Sequence, residues 1–131
     1  MSKRRITVVS AAIVRDGRYL ITQRLDKAVL PGLWEFPGGK VEEGESDEVA
    51  LQRELQHRLG ITAGVGERLA VNEQEYPNYI VELHLYRCDL ADAEPQPLNV
   101  KEMRWVTSSE FDGYDFTPAD EQSMDALLFG E

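Results

Sequence analysis

The sequence has few of the features that mark several protein classes. Its 131 residues include one cysteine, Cys88, so an intramolecular disulfide is impossible. No apolar run approaches the roughly 20 residues of a membrane-spanning helix. The basic segment from Lys3 to Arg5 lacks the apolar stretch of a secretory signal. These absences exclude disulfide scaffolds and helical membrane proteins, and they predict a reducing, cytoplasmic location.

Basic residues are also scarce. The chain has 14 lysine and arginine residues against 24 aspartate and glutamate residues, a formal net charge of −10. Proteins that bind polymeric nucleic acid neutralise its phosphates with a basic face, so we expect neither polymeric nucleic acid nor membrane as a partner. A small phosphorylated ligand remains compatible with this charge because a divalent cation can supply the missing positive charge.

The order of the predicted elements indicates one domain over residues 1–131, since no repeat or flexible linker divides the chain. Apolar, β-branched or alternating segments predict strands over residues 6–14, 19–23, 67–75, 79–90 and 103–106. The pairs Asp16-Gly17 and Pro77-Asn78 are predicted turns. His84 and Cys88 are assigned to ordinary packing of their strand.

Two helices complete the prediction. Leucines at four-residue spacing between Ser46, a helix cap, and Gly60, a helix stop, predict the first helix. Pro118 begins the second helix, with Met124, Leu127 and Leu128 on its inner face. Residues 25–44, rich in proline and glycine, predict a functional loop. Strands and helices in this order favour an α/β fold with a mixed sheet.

One stretch carries the residues that indicate chemistry. Gly38 and Gly39 let the backbone approach a ligand closely, and three carboxylates follow at the loop exit, Glu42, Glu43 and Glu45. In the first helix, Glu54, His57 and Arg58 share one face, at positions i, i+3 and i+4. Oxygen ligands from a loop and a helix suit Mg²⁺, which commonly binds one or two carboxylates together with substrate phosphates.

This stretch resembles the Nudix box, a pattern of glycine, glutamate, an Arg-Glu pair and a final glycine at fixed spacing. The matching positions are Gly39, Glu45, Arg53, Glu54, Leu55, Gly60 and Ile61. A wider resemblance to the MutT-type and CTP pyrophosphohydrolase branch extends over nearly the whole chain. The resemblance implies a Nudix fold, an α/β architecture whose mixed β-sheet is sandwiched between α-helices.

The resemblance also implies a function. Nudix hydrolases of this branch cut a nucleoside triphosphate, or an oxidised nucleotide, to the monophosphate and pyrophosphate, with Mg²⁺ or Mn²⁺ activating a water. The implied catalytic residues are Glu54, Glu45 and Arg53, and the implied metal ligands are the Gly38 carbonyl and Glu54. His57 is a further candidate metal ligand, since a neutral imidazole suits a softer transition metal, and the alternative is a solvated helix position. The implied substrate-binding residues are Arg24, Trp34, Phe36, Lys40 and Asp120. We expect a small-molecule nucleotide as substrate and a monomer or homodimer as the assembly.

Three positions depart from the family pattern. His57 and Arg58 stand where two consecutive glutamates are typical, and Asn99 stands where a loop often supplies another acidic ligand. Glu54, neutral His57 and Arg58 sum to zero charge, which disfavours Mg²⁺. A non-catalytic nucleotide-binding Nudix module is therefore the alternative function, and an interaction domain with a drifted pocket is a third.

The sequence is compatible with two roles for several of these residues. Arg58 either pairs with Glu54 or contacts a phosphate. Trp34 and Phe36 either pack in the core or stack on a base. Asp120 either accepts hydrogen bonds from an amino-bearing base edge, such as cytosine N4 or guanine N1 and N2, or places a charge at the start of the final helix.

Overall fold

The computed structural model describes residues 3–129, without the side chains of residues 125, 126, 128 and 129. Seven strands are present: β1 (Arg4–Arg15), β2 (Arg18–Gln23), β3 (Trp34–Glu35), β4 (Gly38–Lys40), β5 (Gly64–Glu75), β6 (Tyr79–Asp89) and β7 (Glu102–Val106). The helices are α1 (Asp47–Leu59), a 3-10 helix (Ser108–Gly113) and α2 (Pro118–Phe129).

The sheet is mixed, as the sequence predicts. Its strand order is β3-β2-β1-β6-β5, with β4 added beside β1 and β7 beside β2. Strands β1 and β6 run parallel over ten paired positions, from Arg4 opposite Tyr79 to Ile13 opposite Cys88. The other pairings are antiparallel. The long strand β1 therefore holds both halves of the sheet together.

The two helices cover opposite faces of this sheet because the side chains of β1 alternate between them. Val9 and Ala11 pack with Leu51 and Leu55 of α1 in one core cluster, whereas Ala12 belongs to a second cluster with Ala119 of α2 and the aromatic residues. The predicted sandwich is thus confirmed. Within residues 3–129, no helix combines the length and apolar character that a membrane crossing would require.

Helix α1 begins and ends where its sequence predicts. The Ser46 side chain accepts a hydrogen bond from the Val49 amide at 3.2 Å, and Gly60 adopts a left-handed conformation with φ of 69° that ends the helix. Met124 and Leu127 of α2 pack against the second core cluster as expected. The predicted inner position of Leu128 lies outside the described side chains.

The structure corrects the prediction of an unbroken loop over residues 25–44. This segment contains β3 and β4, which at two and three residues are too short to show a periodic pattern. Gly38 pairs with Ser10 of β1, and a Cβ on Gly38 would come 1.9 Å from the Val9 carbonyl oxygen. The glycine that suggested a loop is thus a requirement of close strand pairing. The 3-10 helix was also not predicted.

His84 does more than pack in its strand. Its Nδ1 atom lies 2.6 Å from Asp47 Oδ2 and its Nε2 atom lies 2.7 Å from Glu82 Oε2. The Tyr86 hydroxyl donates a further hydrogen bond to Asp47 at 2.6 Å. This cluster ties the first turn of α1 to strand β6. Cys88, by contrast, is a buried core residue as predicted.

Candidate active site

Helix α1 places Glu54 against the double-glycine strand β4. The Glu54 side chain is 11% exposed, and it covers Gly39 so closely that a Cβ on that glycine would lie 2.4 Å from Glu54 Cδ. A carboxylate from the helix is therefore held directly beside the backbone of the strand. The structure brings these two predicted site residues together.

Arg53 joins the loop exit, strand β4 and helix α1. Its guanidinium donates to both carboxylate oxygens of Glu45, at 2.7 and 2.9 Å, and to the Lys40 carbonyl at 2.9 Å. It also donates to Glu54 Oε2 at 2.8 Å. The hydrogen bonds from Arg53 and from the Glu42 amide lower the pKa of Glu45 to about 2. Glu45 and Arg53 therefore form an ionic clamp that positions Glu54.

Arg58 occupies the other side of Glu54. Its Nε atom donates to Glu54 Oε1 at 2.8 Å, and its Nη1 atom lies 3.5 Å from Glu35 Oε2. Glu35 is contacted in turn by Arg24 Nη1 at 2.9 Å. Burial raises the pKa of Glu35 above its usual value, although the positive charges of Arg24 and Arg58 oppose this effect. The pairing of Arg58 with Glu54, one of its two interpretations, is present, and it extends into a chain of alternating charges.

Two cavities that share part of their lining form a two-part cleft beside this charged chain. The larger has a volume of about 480 Å³ and a mainly apolar lining that includes Val81, Leu83 and two tyrosines. The smaller, of about 190 Å³, lies over the glycines of β4 and beside Arg58. Both cavities are lined by the same five residues, Val8, Arg24, Glu35, Lys40 and Asp120. The cleft thus has an apolar end and a charged end.

Two aromatic residues at the apolar end were not singled out from the sequence. Tyr76 and Tyr79 flank the Pro77-Asn78 turn, and their rings stack with centroids 5.1 Å apart. Both line the larger cavity. The signal available in the sequence was an aromatic residue on each side of a predicted hairpin turn. Glu35 was missed because nothing local marks it as the partner of two distant arginines.

Asp120 lies where the two cavities meet. Its Oδ1 atom accepts a hydrogen bond from the Phe36 amide at 3.1 Å, and its Oδ2 atom accepts one from the Thr117 hydroxyl. Burial, followed by the negative charge of Glu35, raises the pKa of Asp120 to about 7. Asp120 is thus both a residue in the first turn of α2 and a lining residue of the cleft.

Trp34 and Phe36 are placed as core residues. Phe36 is 1% exposed and its ring packs against Phe111 and Phe116 at centroid distances of 5.8 and 5.7 Å. Trp34 packs edge-on against Tyr114 at 5.0 Å. The second core cluster encloses both rings, which favours core packing over stacking on a base. Phe36 also lines the smaller cavity, and its amide donates to Asp120.

The residues expected to hold a metal ion do not form a ligand set. Both carboxylate oxygens of Glu54 are already contacted by guanidinium groups. His57 lines a third cavity of about 150 Å³ with Arg58 and Asn99, whereas Gly38 lines the cavity over β4. Across residues 3–129, no three histidine, cysteine, aspartate or glutamate side chains converge as a metal site. The donor set of the protein alone therefore does not fit a divalent ion.

Asn99 has a structural role at this end of the site. Its side-chain amide donates to the His57 carbonyl at 2.8 Å, and its backbone amide donates to the Arg58 carbonyl at 3.1 Å. The last carbonyls of a helix have no partner within the helix. Asn99 satisfies two of them, which fixes the turn of α1 that carries His57 and Arg58.

Comparisons with known proteins agree with this geometry. The sequence pattern described as the NUDIX domain matches residues 8–126. The chain is 39% identical over 123 residues to the CTP pyrophosphohydrolase of Escherichia coli (strain K12), covering 94% of this chain and 91% of that protein. It is 35% identical over 127 residues to the 8-oxo-dGTP diphosphatase of Haemophilus influenzae, covering 95% and 93% of the two chains.

A solved structure shows the same architecture. The solution structure of the E. coli ORF135 protein superposes with a TM-score of 0.83 at 38% sequence identity, covering 96% of this chain and 90% of that one. Pattern, relatives and architecture agree over nearly the full length, and the Glu45, Arg53 and Glu54 contacts lie in the matched region. The chain belongs to the NUDIX domain family and is a Nudix hydrolase of the MutT type.

Proposed function

We propose that this Nudix hydrolase cuts nucleoside triphosphates between the α- and β-phosphates, giving a nucleoside monophosphate and pyrophosphate. The observation that carries the proposal is the two-part cleft, whose apolar end and charged end share Arg24, Lys40 and Asp120. A nucleotide has the same division into an apolar base and a charged phosphate chain. With the base at the apolar end of the cleft, the phosphates would lie at the charged end, beside Gly39 and Glu54.

The base end of the cleft favours a base that offers an amino group. Tyr76 and Tyr79 supply aromatic surface, and stacking of a base on an aromatic ring contributes about 1–3 kcal/mol. Asp120, when ionised, accepts hydrogen bonds from groups such as cytosine N4 or guanine N1 and N2. Relatives named for CTP and for 8-oxo-dGTP support both cytosine and oxidised guanine nucleotides as substrates.

The chain's own residues bind and orient the phosphates. Lys40, exposed at the mouth of the cleft, and Arg24 line both cavities and provide the positive charge that a polyphosphate needs. Glu54 is the carboxylate nearest the glycine backbone and is the residue that we assign to orienting the attacking water. Glu45 and Arg53 hold Glu54 in place through their clamp.

Nudix hydrolases generally use divalent metal ions, and we propose Mg²⁺, with Mn²⁺ as the alternative, as the ion for this one. Such an ion would enter with the phosphates of the nucleotide, where it would supply positive charge and lower the pKa of a bound water. The Glu54 carboxylate could contact this ion only while it also accepts hydrogen bonds from Arg53 and Arg58. We also propose a cytoplasmic location, a small-molecule nucleotide as the substrate, and a monomer or homodimer as the assembly.

A specific contact favours a second candidate function, the non-catalytic nucleotide-binding module. The hydrogen bond from Arg58 Nε to Glu54 Oε1 at 2.8 Å neutralises the carboxylate on which hydrolysis depends. The module would bind nucleotides in the same cleft and release no pyrophosphate. A drifted interaction domain, the third possibility, would bind no nucleotide at all.

The experiment that tests these functions measures pyrophosphate release from CTP, dCTP, dGTP and 8-oxo-dGTP with Mg²⁺ or with Mn²⁺. We expect turnover of at least one nucleotide, and its loss in Glu54→Gln. The matched control is Glu48→Gln, since Glu48 is an exposed carboxylate on the same helix. Binding without turnover would favour the second function, and the absence of both binding and turnover would reject the first two.

A further inference from the structure

Arg58 lies at the junction of two cavities. It lines the cavity over β4 together with Gly38, Gly39 and Lys40. It also lines the cavity of about 150 Å³ beyond it, whose charged or basic lining residues are Arg24, His57 and Arg58. The Arg58 side chain is 26% exposed. Its guanidinium is therefore buried enough to be fixed and open enough to contact a ligand.

Fixed positive charge already balances the carboxylates at this point. Glu35 is contacted by Arg24 and Arg58, and Glu54 is contacted by Arg53 and Arg58. A divalent ion placed beside Glu54 would lie close to two guanidinium groups, and like charges repel strongly where water is partly excluded. The same arrangement is favourable for an anion, because guanidinium groups bind phosphate oxygens with directed, charge-assisted hydrogen bonds.

The remaining donors of Arg58 make this role possible. Among the described residues, the Arg58 guanidinium donates one hydrogen bond, from Nε to Glu54 Oε1. Its Nη1 atom approaches Glu35 Oε2 at 3.5 Å, and Nη2 donates no hydrogen bond there. A guanidinium carries five N–H donors in a rigid fork. Two carboxylates can therefore orient Arg58 while a further edge of the fork is directed to a phosphate.

We propose that Arg58 is a resident cation of the phosphate site: it stands between Glu54 and Glu35 in place of a protein-held divalent ion and binds the phosphate chain directly, so that polyphosphate binds without free metal. The inference rests on the proposed function for the identity of the anion. As a further consequence, this chain binds a divalent ion weakly when no phosphate is present.

The first test uses inorganic triphosphate, which has phosphates and no base. Calorimetry in EDTA should show saturable binding of sodium triphosphate to the wild-type chain and binding weaker by about tenfold or more in Arg58→Gln. Arg58→Lys should lie between them, because lysine keeps the charge and loses the fork. Arg87→Gln is the control, since Arg87 is 58% exposed on β6 and pairs only loosely with Glu67. Absence of wild-type binding in EDTA, or equal binding by Arg58→Gln, would overturn the proposal.

The second test measures Mn²⁺ binding by electron paramagnetic resonance with no phosphate present. Arg58→Glu should bind Mn²⁺ about tenfold or more tightly than the wild type does, and Arg87→Glu should show no gain. Wild-type binding as tight as that of Arg58→Glu would overturn the proposal, and this remains decisive if Arg58→Gln does not fold. Because neither test contains a nucleoside or measures turnover, failure of the hydrolase function is recognised separately from failure of this inference.

Discussion

The carboxyl group of Glu54 occupies the space in which a side chain of Gly39 would lie, with Glu54 Cδ 2.4 Å from the Cβ position of that glycine. Arg53 and Arg58 hold the same carboxylate from two sides at 2.8 Å. The position of Glu54 is therefore set by contacts with a strand backbone and with two cations of its own helix. Small changes at any of these contacts should alter catalysis before they alter the fold.

The two adjacent glycines should separate stability from activity. Gly39→Ala displaces only the Glu54 side chain, so we expect turnover to fall by about tenfold or more with little change in melting temperature. In Gly38→Ala the new Cβ meets the Val9 carbonyl, which is backbone and cannot move aside, so stability should fall by about 1–3 kcal/mol. Circular dichroism melting and pyrophosphate release measure the two effects. An active Gly39→Ala protein would contradict the role assigned to Glu54.

The tyrosine pair should control nucleotide affinity. Tyr76→Leu and Tyr79→Leu each remove an aromatic face from the larger cavity, and we expect the KM to rise roughly fivefold or more with a smaller change in kcat. Val71→Ala is a suitable control because Val71 is 49% exposed on β5. Steady-state kinetics on one nucleotide provide the comparison. An unchanged KM in both tyrosine variants would contradict the binding of the base at this end of the cleft.

Asp120 should make stability fall as pH rises. Its pKa is raised from 3.8 to about 7, so the neutral carboxyl stabilises the folded state fully below pH 3.8 and this contribution is lost as pH rises through about 7. Asp120→Asn keeps a neutral hydrogen-bond acceptor for the Phe36 amide. The melting temperature of Asp120→Asn minus that of the wild type should therefore increase from about pH 5.5 to about pH 8.5. A difference that stays constant would show that Asp120 remains ionised.

The His84 cluster should also make the stability of the fold decrease as pH rises. Burial disfavours protonated His84, but the hydrogen bonds to Asp47 and Glu82 outweigh it and raise the pKa above the usual 6.5. Protonated His84 thus stabilises the folded state fully below pH 6.5, and the contribution is lost as pH rises through the higher folded-state pKa. His84→Gln should flatten the fall in melting temperature between about pH 6 and pH 9. An unchanged slope would mean that folding does not raise the pKa of His84.

The sequence predicted those parts of the fold that have a period or a cap. Leu51, Leu55 and Leu59 recur at helical spacing and are buried, and Ser46 and Gly60 end the helix by local hydrogen bonding. Local signals of this kind depend on neighbouring residues alone. They located the longer strands and α1, but could not reveal strands of two or three residues such as β3 and β4.

From local spacing alone, the site was predictable only where its residues lie within one motif, and the cleft residues Arg24 and Asp120 were expected only through the wider resemblance. Glu45, Arg53 and Glu54 are close in sequence, and their contacts follow from that spacing. Glu35, in contrast, meets Arg24 across a loop and Arg58 across the sheet–helix interface. Such pairs arise from tertiary packing, which no single segment encodes. The same reason applies to Phe36, whose burial in the core depends on tertiary contacts.

Phosphorus NMR of the reaction products tests the central claim most directly. With CTP or 8-oxo-dGTP and Mg²⁺, the account predicts nucleoside monophosphate and pyrophosphate in equal amounts, formed by the wild-type protein and by Glu48→Gln but not by Glu54→Gln. Formation of nucleoside diphosphate and inorganic phosphate, or equal rates with and without the Glu54 carboxylate, would contradict it.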